Sequence, residues 1–406
     1  MHIAIIGTGY VGLTAAVCFA SKGHNVICVD KDPHKIQALC NKIPTIHEDG
    51  LPELLASAGS NLVFTTDMQT AIRQCQAIIL AVGTPQQQNS GEADLQYIFS
   101  ASKEAAKYID EYKVFITKST VPVGTNQQIK QIIEDIAGKK IDIVSNPEFM
   151  REGLAINDFL HPDRIVIGLE SDKAKQILTA IYQPWSNYPI LFTDIKTAEL
   201  IKYVANAFLM TKVAFINQIE TLSRKLNCNI ADVATGIGSD HRIGSAFLKP
   251  GPGIGGSCFP KDSLALQHIG KQAGVDLSIL QQVIVANNNR FSEMADLIKN
   301  SFAEHKKIAI LGLAFKAGTD DARMSPAIEI IKKLLAFGFE INAFDPQAMP
   351  QTQEILADKI FYCKSLEECY RSSNCLAILT EWPEFKQIIN FNGFASKKII
   401  DLRRIL

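Results

Sequence analysis

Ile3-Ala4-Ile5-Ile6-Gly7-Thr8-Gly9-Tyr10-Val11-Gly12 is the stretch that decides the fold. Four consecutive apolar residues ending at glycine read as a buried strand, and the uninterrupted pattern after Gly12 reads as a helix. A second apolar run from Val26 closes on Asp30. Strand, glycine turn, helix, strand and terminal acid in that order form the dinucleotide-binding fingerprint. In it, Gly7 permits the tight turn, Gly9 lets the backbone approach a pyrophosphate, and Gly12 lets the helix pack on the sheet. The helix that opens at Tyr10 and Val11 offers its free amides to the anion. Asp30 is expected to accept hydrogen bonds from the adenosine ribose and to repel a 2′-phosphate, so NAD is favoured over NADP. The cations Lys31 and Lys35 pull the other way.

Working outward, Ile308-Ala309-Ile310-Leu311-Gly312 repeats the opening strand, and it too is followed by a helical pattern and an apolar run, Ile341 to Asp345. Two separate β-α-β domains are expected. From about Thr197 to Leu226, Leu200, Val204, Phe208, Leu209, Phe215, Ile216 and Leu222 recur at helical spacing without Gly or Pro, which predicts one long, largely buried helix. Lys249-Pro250-Gly251-Pro252-Gly253-Ile254-Gly255-Gly256 cannot be helical and is too punctuated for a flexible linker. The fold class is therefore α/β: two Rossmann-like domains, residues 1–195 and 298–406, joined by a long central helix and a helical middle, residues 196–297.

The 406 residues leave room for a cofactor and a second ligand, and 47% hydrophobic with 20% charged residues is the balance of a globular chain. A formal net charge of −1 without a long Lys/Arg run argues against nucleic-acid binding. No stretch has the apolar length of a membrane span and no leader precedes the first strand, so a cytoplasmic protein is expected. Nine cysteines, scattered and without metal-ligand spacing, fit a reducing compartment better than a disulfide framework or a zinc site.

One cysteine stands apart. In Gly255-Gly256-Ser257-Cys258-Phe259-Pro260-Lys261-Asp262 a thiol lies where bare backbone admits a ligand, with a cation and an acid three and four residues on. A nearby cation favours the nucleophilic thiolate. A dehydrogenase that stops at an aldehyde needs no nucleophile. A thiol beside a nicotinamide instead suggests a second oxidation, in which a thiohemiacetal becomes a thioester that water cleaves, with an acid and two NADH as products.

The Gly255 to Asp262 segment resembles the active-site signature of the UDP-glucose/GDP-mannose dehydrogenase family. Lys118-Ser119-Thr120-Val121-Pro122-Val123-Gly124-Thr125, Asn146-Pro147-Glu148-Phe149-Met150-Arg151-Glu152-Gly153, Glu199 through Asn206, and Phe315-Lys316 through Thr319-Asp320-Asp321-Ala322-Arg323 are similar to its other motifs, in its order. The resemblance implies that Cys258 is the nucleophile and that Lys202 and Asn206 stabilise oxyanions. Their i, i+4 spacing on one helix face agrees with that role, although such a pair also suits a solvated face. It further implies that Asp262 and Thr120 position or activate water and that Glu148 is the acid or base of thioester hydrolysis. On the residues alone, Asp262 could cap the following helix and Glu148 could pair with Arg151.

By the same resemblance Lys35, Thr84, Thr120, Glu152, Lys261 and Arg323 line the cofactor. Glu148, Phe149, Met150, Arg151, Glu152, Gly255, Lys316 and the segment Phe247-Leu248-Lys249-Pro250-Gly251 meet the sugar nucleotide. Arg242 reaches a neighbouring subunit's substrate, which implies a homodimer built on the long helix. Ser257 and Lys261 favour UDP-glucose. Departures from the pattern are Ile254 in place of an aromatic, Ala317-Gly318, and Arg404 where Asn often follows Arg403. GDP-mannose as substrate, a two-electron hydroxyacid dehydrogenase and an NAD-sensing module are the alternatives. The hydroxyacid dehydrogenase would need neither Cys258 nor the C-terminal domain, and the sensor would have no use for Lys202, Asn206 and Cys258 together.

Overall fold

Ile3 and Ile5 point to one face of the first strand and Ala4 and Ile6 to the other, and all four are buried. Two hydrophobic cores therefore grow from a single strand, one on each side of its sheet. The computed structural model describes residues 1–87 and 91–406. By compactness these fall into two units, Met1–Ala205 and Asn206–Leu406.

The first unit contains β1 (His2–Ile6), β2 (Asn25–Val29), β3 (Leu62–Thr65), β4 (Ala77–Leu80), β5 (Val114–Thr117), β6 (Asp142–Ser145), β7 (Ile165–Gly168) and β8 (Ile190–Thr193). They form one sheet in the order β3-β2-β1-β4-β5-β6-β7-β8. Every pairing is parallel except β6 with β7. The order reverses at β1 and β4, the place where an open parallel sheet takes its ligand.

The second unit carries β9 (Lys307–Leu311), β10 (Glu340–Phe344), β11 (Phe361–Tyr362), β12 (Cys375–Ile378) and β13 (Lys398–Asp401), a parallel sheet in the order β11-β10-β9-β12-β13. The repeat is thus real as a pair of β-α-β sheets. Its helices differ: the first copy enters the helix Tyr10–Ser21 at once, whereas the helix Pro326–Ala336 begins only after a loop. Asp345 ends β10 as Asp30 ends β2, but it accepts the amides of Leu313 (2.7 Å) and Ala314 (3.0 Å) and the Trp382 indole N–H (3.0 Å). It fixes a loop rather than facing a ribose.

The helix Ile195–Leu226 is continuous. One correction is required, since it is not largely buried. Leu200, Val204, Phe208, Phe215 and Leu222, five residues of the predicted apolar stripe, are exposed along with Leu226, while Tyr203, Ala207, Met210, Ala214 and Ile216 are buried. The helix is apolar on more than one face, and periodicity alone does not tell which face the chain itself covers. No helix among the described residues is long and apolar enough to cross a membrane.

Candidate active site

The turn after β1 meets each steric demand of the fingerprint. Gly7 has φ +102°, and a Cβ there would lie 2.6 Å from the Ala81 carbonyl oxygen. A Cβ on Gly12 would stand 1.9 Å from the Gly7 carbonyl oxygen. At Gly9, by contrast, a Cβ would meet nothing within 4 Å, so the backbone there faces open space at the start of the helix Tyr10–Ser21. Open amides at a helix N-terminus suit a pyrophosphate. Asp30 Oδ2 accepts from the Thr8 amide (2.9 Å) and hydroxyl (2.7 Å), and Oδ1 from the Asp32 amide (3.1 Å). Burial works to raise the Asp30 carboxyl, but the Thr8 and Asp32 hydrogen bonds and the Lys35 charge outweigh it and hold the group below its ordinary value. Asp30 therefore stays ionised, and the turn fits a dinucleotide.

Other residues of the first unit that are expected to line the cofactor lie near strand ends. Thr84 Oγ1 donates to the Thr120 carbonyl at 2.8 Å, tying together the loops that follow β4 and β5. Tyr10 donates to the His47 carbonyl at 3.4 Å, and Val11 packs against the core. Beyond Glu152, the amides of Gly153 (2.7 Å) and Ala155 (2.6 Å) donate to the buried Glu48 carboxylate. Glu48 escapes a reading of motifs because no pattern surrounds it.

Glu148 follows β6 and is buried. Its Oε1 lies 2.9 Å from Lys202 Nζ and its Oε2 accepts the Met150 amide at 2.6 Å. The suggested Glu148–Arg151 pair is not formed, because Arg151 instead grips Asp158 through Nε (2.8 Å) and Nη2 (2.6 Å). The Phe149 ring lies beneath the Arg164 guanidinium, 3.6 Å from the centroid, with Lys202 5.4 Å away. Lys118, at the end of β5, is buried against Asn146 Oδ1 (3.1 Å) and the Tyr182 hydroxyl (3.3 Å). Burial, assisted by Lys202 and opposed by Glu148, brings its ammonium down to about 8.

In the second unit Cys258 stands at the N-terminus of the helix Phe259–Gln272, with its Sγ 3.5 Å from Ser257 Oγ. Asp262 lies in the first turn, where its amide donates to the Cys258 carbonyl at 2.8 Å. Its buried carboxylate accepts from Asn206 Nδ2 (2.6 Å) and Lys261 Nζ (2.5 Å). Asp262 is therefore no helix cap, and Lys261, the cation three residues after the thiol, pairs with this acid. Lys202 and Asn206 are both buried and both aimed at carboxylates, so the solvated-face alternative is overturned.

The glycine-proline segment before the thiol is held by side chains. Asn217 Oδ1 accepts the Gly251 amide (2.8 Å), and Arg290 Nε donates to the Gly251 carbonyl (3.1 Å). Asn287 closes on both the amide (2.8 Å) and carbonyl (3.0 Å) of Ile254. A Cβ on Gly255 would lie 2.2 Å from the Met324 carbonyl oxygen. Phe247 has φ +64°, a left-handed conformation that an aromatic residue rarely adopts, and its ring centroid lies 6.0 Å from that of Phe259. Leu248 is buried and Lys249 exposed.

Lys316 lies over the Phe315 ring at 5.6 Å, and Arg323 binds Asp321 at 2.7 Å. Arg242 is exposed and paired with Asp240 at 2.6 Å. Arg290, Asn217 and Asn287 were not singled out in the sequence. Their signal was a buried Arg and two Asn at otherwise apolar helix positions, visible only once the loop they hold is in place.

Three family models cover most of the chain. The NAD binding domain of the UDP-glucose/GDP-mannose dehydrogenase family matches residues 1–186, its central domain residues 196–289, and its UDP binding domain residues 309–406. A UDP-glucose 6-dehydrogenase of Rhizobium meliloti is 42% identical over 100% of this chain and 95% of its own length. A Bacillus subtilis UDP-glucose 6-dehydrogenase is 44% identical over 95% of this chain and 89% of its own. The solved UDP-glucose dehydrogenase of Pyrobaculum islandicum superposes with a TM-score of 0.94 at 33% identity, covering 99% of this chain and 94% of that one.

Proposed function

Because the chain belongs to the UDP-glucose/GDP-mannose dehydrogenase family, we propose that it oxidises the primary alcohol of UDP-glucose to the carboxylate of UDP-glucuronate, with NAD as acceptor. The observation that carries the four-electron reading is a thiol, Cys258, set at a helix start in a chain that also has an intact dinucleotide turn. NAD, when bound, would supply the hydride acceptor for both oxidations. Gly7, Gly9, Gly12 and Asp30 hold it, with Lys35, Thr84, Thr120, Glu152, Lys261 and Arg323 around it.

The protein's own groups manage the protons and the covalent step. Loss of a hydride and a proton from the alcohol gives an aldehyde, and Cys258 Sγ adds to its carbon to form a thiohemiacetal. A second hydride and proton leave and a thioester results. Water then adds to that carbon, the C–S bond breaks, and the thiol is regenerated beside a carboxylate. Lys202 and Asn206 donate to the oxygen that carries charge at each tetrahedral stage. Glu148 transfers the proton of the attacking water, and Asp262 and Thr120 orient that water.

Residues 247–251 and Lys316 receive the uridine diphosphate, for which cations and backbone amides are the fitting donors. We assign most of the cofactor site to residues 1–195, the thiol, the 247–251 segment and the dimer contact to 196–297, and the remainder of the nucleotide site to 298–406. A homodimer buries the exposed apolar stripe of the long helix and lets Arg242 reach the other subunit's substrate. The cytoplasm is the compartment, in keeping with the cysteine usage.

The test is the yield of NADH per sugar nucleotide. Two per UDP-glucose is expected, with the acid as product, and Cys258→Ala retains NAD binding without forming acid. One NADH per UDP-glucose, or preferential turnover of GDP-mannose, would sink the reading.

A further inference from the structure

Arg290 is a buried guanidinium whose every arm is engaged. Nε donates to the Gly251 carbonyl (3.1 Å), Nη1 to Thr221 Oγ1 (2.9 Å) and Glu293 (3.1 Å), and Nη2 to Glu220 Oε2 (2.8 Å). The other oxygen of the buried Glu220 accepts from Arg404 Nη2 at 2.9 Å. Arg404 is the neighbour of Arg403, and the Arg403 guanidinium presses on Gly251 so closely that a Cβ there would lie 3.0 Å from its Nη1. Arg403 is itself fixed by the carbonyls of Leu379 (2.8 Å) and Phe315 (3.1 Å) and by Glu381 (3.0 Å).

One carboxylate thus fastens two things at once: the donor that holds the Gly251 carbonyl, and the chain end that brings Arg403 against the same residue. A structural brace for the C-terminus would not need to meet at the loop. Arg404 also sits at φ +53°, a conformation costly for a long side chain, which persists where surrounding contacts over-determine it.

We propose that Glu220, Arg290 and Arg404 form a positioning relay for nucleotide recognition, in which Glu220 sets Gly251 and Arg403 in register to receive the diphosphate end of the substrate. The proposal rests on the assignment of residues 247–251 to the UDP group. None of the three relay residues is required to touch substrate.

The variant of choice is Arg404→Asn. Asn tolerates the left-handed backbone better than Arg and removes only the guanidinium. Loss of one charge-assisted hydrogen bond of this kind predicts roughly a ten-fold rise in KM for UDP-glucose. An equal rise is expected in the Kd of UDP by titration calorimetry, with KM for NAD and kcat within about two-fold of wild type. Arg404→Lys restores part of the loss, and the pair Glu220→Gln/Arg404→Asn is no worse than Glu220→Gln alone, because both act through one link. If Glu220→Gln does not fold, Arg404→Asn carries the test by itself. Unchanged UDP affinity in Arg404→Asn overturns the relay, as does an equal loss for NAD. Failure of the wild-type protein to bind UDP at all overturns the substrate assignment and the relay with it.

Discussion

The Lys202 ammonium and the Glu148 carboxylate stand 2.9 Å apart, with side-chain exposures of 4% and 7%. A buried pair of this kind is a poor source of net stability, but removing one member leaves a charge stranded, at a cost of about 3 to 5 kcal/mol. Such a pair suits chemistry better than it suits stability. Lys202→Ala is expected to lower kcat by about 10² to 10³, the usual effect of losing a preorganised oxyanion donor. NAD affinity, measured by fluorescence titration, stays unchanged.

Glu148→Gln keeps one carbonyl oxygen, which can accept from Lys202 or from the Met150 amide but not from both in the present geometry, and it cannot take a proton from water. A burst of NADH followed by a slow steady state is expected. Mass spectrometry of the quenched protein then finds the acyl group on Cys258. A variant that turns over without a burst or adduct removes Glu148 from the hydrolytic step.

Asp30 offers a separate handle on the cofactor. Asp30→Ala removes the acceptor of the Thr8 and Asp32 donors together with the proposed ribose contact. KM for NAD should rise at least about ten-fold, in line with loss of a charged hydrogen bond, while the Kd of UDP holds. Equal affinity for NAD in the variant would show that the acid serves only the turn.

Lys118 predicts a pH signature in stability. Its folded value of about 8 lies below the ordinary value of about 10.4 for lysine, so the unfolded chain binds the proton more tightly. Below about pH 8 the buried charge therefore costs stability, and the cost fades as pH climbs toward 10.4. Between pH 7 and pH 10, urea unfolding should shift in favour of the wild type over Lys118→Met by about 1 to 3 kcal/mol. A pH-independent difference would mean that the folded Lys118 titrates like an ordinary lysine and would contradict its downward shift.

Phe208 is 64% exposed on the long helix. Phe208→Asp should leave the fold intact, by circular dichroism, and move the mass seen by light scattering from dimer to monomer. An unchanged dimer would place the interface elsewhere.

Most of the fold was legible because its signals are local. The apolar run at Ile3 to Ile6, its glycines and Asp30 each carry their own steric or electrostatic reason, and the second run at Ile308 repeats the strand. The side on which the long helix is covered was not legible, since Leu200, Val204 and Phe208 have the same spacing whether they face a core or another surface. Among candidate site residues, Cys258 stood out by its motif, and Lys202 and Asn206 through the family resemblance, with which their spacing agrees. Their partners were less predictable: Arg151 took Asp158 rather than Glu148, and Lys261 took Asp262. Ion-pair choice depends on which side chains the fold brings within reach, and that information is spread over distant segments. Glu48 and Arg290 were invisible for the same reason, as each serves a loop far away in sequence.

The clasp on Gly251 and Ile254 has an evolutionary corollary. Both residues are held through their backbone atoms by Asn217, Arg290 and Asn287, none of which belongs to the loop. A path anchored this way does not depend on the side chains it displays. An outward residue such as Lys249 can be exchanged without unseating the scaffold. Display and anchoring are uncoupled at this point of the molecule, which makes the loop, under the proposed assignment of residues 247–251 to the nucleotide, a starting point for laboratory redesign of nucleotide preference.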